Sequence, residues 1–248
     1  MPNILRKLIL ATFFAVAATT ASASTLIYID FGSGLAMMPI PPSKDSLGNF
    51  WNNLTETNFL TVGSSKNLVT STNGASGITV TVDNSFDQSG STGTTSANTS
   101  IAGFNSTNSP NLGSDFVYVQ KIGATQFKFT LSGLDSALQY KFTMFASRAG
   151  VTDAYNRSSD YTLAGATTQA VSLNASNNTT TVAATGFLSP TASKTIQFTL
   201  AKGVDNDEPN GYAYLGGMRI EIIPEPSTWL LLTIGLVVAT GFRHRKSA

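Results

Sequence analysis

Seven residues of this chain carry the kinds of side chain that grip a sugar: Trp51, Asn52, Arg148, Tyr155, Asn156, Arg157 and Asp160. An aromatic ring packs against the C–H face of a pyranose, while planar amide, guanidinium and carboxylate groups exchange hydrogen bonds with its hydroxyls. Three of the seven also have a plain structural reading. Trp51, beside Phe50 and Leu54, suits core packing as well as it suits a ligand. Arg148 and Arg157 suit ion pairs with Asp153 or Asp160, and Tyr212 and Tyr214, alternating ahead of Leu215, suit a core face.

A second chemistry is suggested by Asp205-Asn206-Asp207-Glu208. Carboxylate and carbonyl oxygens are the ligands of hard cations, so Asp205, Asp207 and Glu208, joined by Asp30 from an early strand, form a candidate structural calcium site. The run lacks the fixed spacing and glycine of an EF-hand, and a solvated turn is its alternative reading. Paired carboxylates could also hydrolyse a glycosidic bond. Linear sequence places no two of the thirteen acidic residues between 24 and 223 at a working separation.

Other chemistries are closed to the segment from Ser24 to Ile223. The chain has no cysteine, which removes disulfides, a catalytic thiol and thiolate metal sites. Its one histidine is His244, close to the C-terminus, so a Ser-His-Asp triad or a His-ligated zinc cannot be built upstream. These exclusions favour a non-catalytic protein. Between 24 and 223 ten basic residues stand against thirteen acidic ones, a net charge of about −3 with the lysines scattered. Phosphate contacts require clustered Lys and Arg, so nucleic acid is not an expected partner.

The elements that must position these residues are strands. Thr125 to Leu131 sets Phe127, Phe129 and Leu131 on one face against Gln126, Lys128 and Thr130 on the other, and Thr195 to Leu200 repeats the pattern. Similar runs lie at Thr25–Phe31, Ile78–Val82, Phe116–Ile122, Tyr140–Ser147, Asp160–Leu163, Ala170–Leu173, Thr179–Ala183 and Gly217–Ile223. Turn formers separate them, among them Ser132-Gly133 and the stretch from Gly203 to Gly211. About ten short strands at this spacing predict an all-β fold, an antiparallel β-sandwich of jelly-roll type. Ser46–Leu60 reads as one short helix or an ordered loop, and Asp83–Ser114, rich in Ser, Thr, Asn and Gly, reads as a long polar loop.

Both ends carry addressing signals. Residues 1–23 combine Arg6 and Lys7 with an apolar run and Ala21-Ser22-Ala23, a signal peptide expected to be cleaved between Ala23 and Ser24. Residues 224–248 begin Pro224-Glu225-Pro226, continue with sixteen uncharged residues from Ser227 to Phe242, and close with Arg243, His244, Arg245 and Lys246. That span is short for a single transmembrane helix crossing a core of about 30 Å, and the basic end would stay cytoplasmic. The tail resembles the PEP-CTERM sorting signal of Gram-negative bacteria. The resemblance implies export through the inner membrane, transient anchoring there, processing near the triplet by an exosortase, and delivery to the cell surface or extracellular matrix.

Residues 24–223 form the exported domain. Within it IDFGS from Ile29, FWNNLT from Phe50, LSGLDSALQYKFTMFASR from Leu131, NRSSDYTLAG from Asn156 and YAYLGGMRIE from Tyr212 resemble galactose-binding-like jelly rolls of secreted bacterial proteins. That resemblance implies a carbohydrate ligand and no catalysis of its own. The reading that follows is a surface-sorted protein binding extracellular polysaccharide in a biofilm or cell-surface matrix. Its alternatives are a self-associating matrix protein with no sugar ligand and a His-free, carboxylate-based glycan hydrolase.

Overall fold

Alternation with a period of two residues sets the architecture. Along 126–132 the odd-numbered Phe127, Phe129 and Leu131 are fully buried while the even-numbered residues stay half-exposed, which is the signature of a strand with one face on a core. The computed structural model describes residues 24–33, 44–45, 47–55, 61–86, 88–93, 101, 104 and 112–224. Among these residues fourteen strands are formed: β1 (Thr25–Gly32), β2 (Asn52–Thr55), β3 (Ser65–Val69), β4 (Ala75–Asn84), β5 (Gln88–Gly90), β6 (Phe116–Val119), β7 (Gln126–Ser132), β8 (Leu138–Phe145), β9 (Ser158–Ala164), β10 (Thr168–Asn174), β11 (Ala183–Leu188), β12 (Ile196–Lys202), β13 (Ala213–Leu215) and β14 (Gly217–Pro224). Among the described residues there is no helix.

The strands build a sandwich. One layer has the order β11-β8-β14-β1-β2, the other β10-β9-β12-β7-β4-β3, and a small third sheet has the order β13-β6-β5. Ile27, Ile29 and Phe31 of β1, with Phe142, Met144, Met218 and Ile220, face Phe127, Phe129, Leu163, Phe198 and Leu200 across the interior. The two layers meet ring to ring: the Phe31 centroid lies 5.9 Å from that of Phe129 and 6.4 Å from that of Phe127. Phe129 in turn stacks on Phe198 at 4.6 Å, its partner in the β7–β12 ladder. Without disulfides, this aromatic core carries the cohesion of the sandwich.

Several sequence expectations are corrected in detail. Within Ser46–Leu60 the described residues are neither helix nor only loop: Asn52–Thr55 form β2, which pairs with β1 in parallel. Asn52 makes this possible by bridging backbones, its Nδ2 donating to Tyr28 O and Val69 O at 2.9 Å while its Oδ1 accepts from Val69 N at 2.8 Å. The polar stretch from Asp83 holds β5 and supplies buried Ile101, Phe104 and Leu112 to a second cluster on the outer side of the five-stranded sheet. The strand expected at Thr179–Ala183 begins only at Ala183. Buried Asn178 holds the preceding turn, donating to Ala146 O and Thr181 O and accepting from Thr181 N. β6 stops at Val119 because Lys121 donates its N–H away to Asn210 O. Strands β3 and β13 had no forecast. The signal segment 1–23, the spanning stretch 227–242, and Glu225, Pro226, Arg243, Arg245 and Lys246 lie outside the described residues; Ser24 and Pro224, which flank the described domain in sequence, are exposed.

One buried acid sits at the start of β6. Asp115 is 1 % exposed; its Oδ2 accepts from Ser33 N at 3.0 Å and its Oδ1 has no partner among the described residues. Gly32 admits it, since a Cβ there would overlap the Asp115 carboxylate. Burial pushes the carboxyl up to about 7, against the opposing hydrogen bond from Ser33. An acid whose folded value exceeds its unfolded one favours the folded state fully below the unfolded value, and that contribution is lost as pH rises through the folded value. Thermal unfolding followed from about pH 4 to pH 8 should therefore show a stability component that declines up to about pH 7. Asp115→Asn should flatten that decline; an unchanged slope would mean the carboxyl is ionised throughout.

Candidate functional site

The aromatic residues of β6 and β13 face one another because the two strands pair antiparallel with Tyr118 opposite Tyr214. Residues two apart on extended chain share a face, so Phe116 joins Tyr118, and Tyr212, just ahead of β13, joins Tyr214. The four rings interlock: Phe116 to Tyr214 at 4.8 Å and Tyr118 to Tyr212 at 5.3 Å, both edge to face. Together with Gly90, Ser91, Thr92 and Arg148 they line a cavity of about 250 Å³. A Cβ at Gly90 would press into the Phe116 ring at 2.7 Å, so the glycine keeps this wall open.

The position of β13 is fixed from behind. The Tyr161 hydroxyl, fully buried on β9, donates to Tyr214 O at 2.7 Å, and Tyr214 N donates to Ser159 Oγ at 2.7 Å. Tyr214 itself is 3 % exposed, and burial pushes its phenol up to about 12, against the lowering influence of Arg148 and Arg157. At neutral pH its hydroxyl is therefore a neutral group able to donate. Tyr118 and Tyr212 are half-buried.

Arg148 ends the chain that leaves β8. Its N–H donates to Ala175 O at 2.7 Å and its carbonyl accepts from Asn177 N at 2.8 Å, a link to the 175–177 turn. Its Nη1 donates to Ala149 O at 2.9 Å and more loosely to Thr92 O at 3.5 Å. No carboxylate forms an ion pair with it among the described residues.

The remaining residues nominated from sequence separate into distinct surroundings. Trp51 and Asn52 are 1 % and 3 % exposed and belong to no binding edge. Trp51 stacks on Tyr28 at 4.9 Å and Phe104 at 6.3 Å, with its Nε1 donating to Asp45 Oδ2 at 2.9 Å, so its ring is packing on the outer side of the five-stranded sheet. Arg157 is a structural ion pair: Nη1 and Nη2 donate to the two Asp153 oxygens at 2.7 and 2.8 Å. That contact holds the Asp153 carboxyl below the usual carboxylate range. Tyr155 is exposed, and Asn156 N donates to Asp207 Oδ1 at 2.6 Å. Asp160 accepts from Ser172 Oγ across the β9–β10 ladder. Of the seven, only Arg148 reaches the cavity; the aromatic walls were missed, although Phe-Val-Tyr and Tyr-Ala-Tyr carry the alternating signal.

The calcium candidate dissolves into a hydrogen-bonded loop. Glu208 Oε2 accepts from Tyr212 N at 3.2 Å and its Oε1 from Asn210 Nδ2 at 3.1 Å, while Asp207 is taken up by Asn156 N. Asn206 Nδ2 donates to Ser158 O and Tyr212 O at 2.8 and 2.7 Å. Asp205 is exposed, Asp30 is buried on β1, and no three acidic side chains converge among the described residues.

Residues 223–246 match the PEP-CTERM protein-sorting motif. No curated protein matches the chain. Among solved structures, the extracellular domain of ANXUR1 from Arabidopsis thaliana is 10 % identical over 80 % of this chain, with a TM-score of 0.45. This chain spans 48 % of the ANXUR1 chain, about half its length. The CBM35 of Abf62 from Cellvibrio japonicus is 11 % identical over 58 % of this chain and 96 % of its own, with a TM-score of 0.30. TmCBM61, solved with β-1,4-galactotriose, is 12 % identical over 74 % of this chain and 100 % of its own, with a TM-score of 0.26. Likenesses this distant transfer no ligand.

Trp51→Ala should lower the unfolding free energy by about 3–5 kcal/mol, the cost of emptying a large aromatic site in a core. Denaturant unfolding measures it; a loss below about 1 kcal/mol would mean the ring is not packed as described.

Proposed function

We propose that this chain is a non-catalytic exported protein whose sandwich binds extracellular polysaccharide at the cavity walled by Phe116, Tyr118, Tyr212 and Tyr214. The observation that carries the reading is four interlocked rings and one guanidinium around a hollow of about 250 Å³ on a chain marked for export. That volume is below the roughly 300–1,000 Å³ of pockets that enclose a drug-sized ligand. It suits one unit of a longer chain whose remainder stays in solvent. The half-buried Tyr118 and Tyr212 supply apolar faces, and the phenol of Tyr214 supplies a neutral donor for a ring hydroxyl.

The sorting motif supports export and processing at the membrane, with an exosortase-type enzyme as the processing partner and the cell surface or matrix as the destination. The motif opens inside the fold, for Ile223 and Pro224 still pair with Gln139 and Leu138. Processing beyond Pro224 leaves β14 whole in the centre of its sheet.

Two measurements test the reading. On a glycan array and on exopolysaccharide from the producing cells, the full-length chain in detergent should bind saturably. Tyr118→Ala and Tyr212→Ala should each weaken that binding about tenfold or more, the usual cost of truncating an aromatic anchor. Binding unchanged in both variants would move the ligand elsewhere, and a blank array would end the reading. Replacing Pro224, Glu225 and Pro226 with alanine should leave uncleaved precursor in the membrane fraction, whereas normal release would separate the triplet from processing.

A further inference from the structure

Resting on the glycan reading, the charge of the cavity narrows the ligand. Among the described lining residues Arg148 is the single charged group, and none is a carboxylate. The guanidinium is committed only in part: Nη1 is spent on the Ala149 and Thr92 carbonyls, while Nε and Nη2 have no partner among the described residues. The contrast with Arg157 is instructive, because that guanidinium is matched to both oxygens of Asp153. Glu208, whose carboxylate accepts from Tyr212 N and Asn210 Nδ2, is buried and is not among the described lining residues. A guanidinium left half-used at the wall of a concave, aromatic site is built to receive a planar anion in bidentate fashion.

We propose that the cavity selects an acidic polysaccharide, one bearing uronic acid carboxylates, with Arg148 taking the carboxylate and the tyrosine rings taking the sugar face. A neutral sugar would leave the positive charge without an anion in a partly desolvated wall. An anionic unit neutralises it, and the tyrosine rings take the face of the sugar. The carboxylate is preferred to sulfate because its two coplanar oxygens match the guanidinium fork.

The test pairs oligouronides with the same oligosaccharides reduced at carbon 6 to neutral sugars, and adds sulfated counterparts, titrated into the full-length chain in detergent. Expected is binding of the uronides at least tenfold tighter than their reduced forms. That preference should shrink as salt rises, since the screening length falls from about 10 Å at 0.1 M to about 3 Å at 1 M. Arg148→Gln should abolish the preference, so that uronides and their reduced forms bind alike, while Arg148→Lys should restore part of it. Because the ligand pair reports on the unmodified protein, a variant that fails to fold does not obscure the result. Equal affinity for uronides and reduced forms would overturn the acidic specificity and leave the glycan reading standing. Tighter binding of the sulfated series would overturn the carboxylate. Loss of every sugar in the unmodified chain would instead strike the glycan reading itself.

Discussion

The backbone of Tyr214 holds the site together. Its carbonyl accepts the Tyr161 phenol and its N–H donates to Ser159, so two side chains of β9 satisfy both polar groups of a residue whose ring lines the cavity. A strand of three residues has little ladder to hold it, and β13 depends on this pinning from behind. With β13 fixed, the antiparallel register sets Tyr118 opposite Tyr214, and the four rings follow. The Tyr161 hydroxyl is fully buried and its ionisation is suppressed by that burial, so the bond is made by a neutral donor in a dry setting where a lost partner would be costly.

The acidic loop before β13 serves the same end. Asp205 to Glu208 has the composition of a cation site, and its fate shows why composition is insufficient. A cation site needs several oxygens converging on one point, and here the carboxylates are turned apart, Asp207 toward the N–H of Asn156 and Glu208 toward the N–H of Tyr212 and the Asn210 amide. Asn206 adds two backbone carbonyls from separate segments. The loop is thus a bracket: it fixes Tyr212 from below while Ser159 and Tyr161 fix Tyr214, and Arg157 with Asp153 steadies the adjoining 153–157 turn.

How much of this was legible depended on whether a feature is local. The sandwich was, because alternation such as Phe127, Phe129 and Leu131 is a property of one strand. The sorting motif was, because its triplet, apolar run and basic end are contiguous. The parallel β1–β2 pair was not, since it rests on Asn52 bonding to Tyr28 and Val69, partners distant in sequence. Arg148 could be nominated by type, but Asp153 stands five residues after it and four before Arg157, so spacing alone does not tell which of the two the carboxylate turns toward. Trp51, the most tempting sugar platform by type, is claimed by Tyr28, Phe104 and Asp45. Tyr212 and Tyr214 were read as core cover; Tyr214 is buried as expected, and the same alternation that buries it makes it a wall.

The layout also relates the cavity to the sorting end of the chain. β8 begins at Leu138, paired with Pro224 where the motif opens, and ends at Phe145, paired with Gly217, just ahead of Arg148. Its eight residues at about 3.3–3.4 Å each put roughly 25 Å of strand between the two. The N-terminal end of β1 pairs with Ile222, so both ends of the domain leave the sandwich on the same side. A domain tethered through residues 225 and beyond would therefore hold its aromatic cavity at the end turned away from the point of attachment. On the glycan reading proposed above, that orientation would turn the cavity toward a polymer in the surroundings.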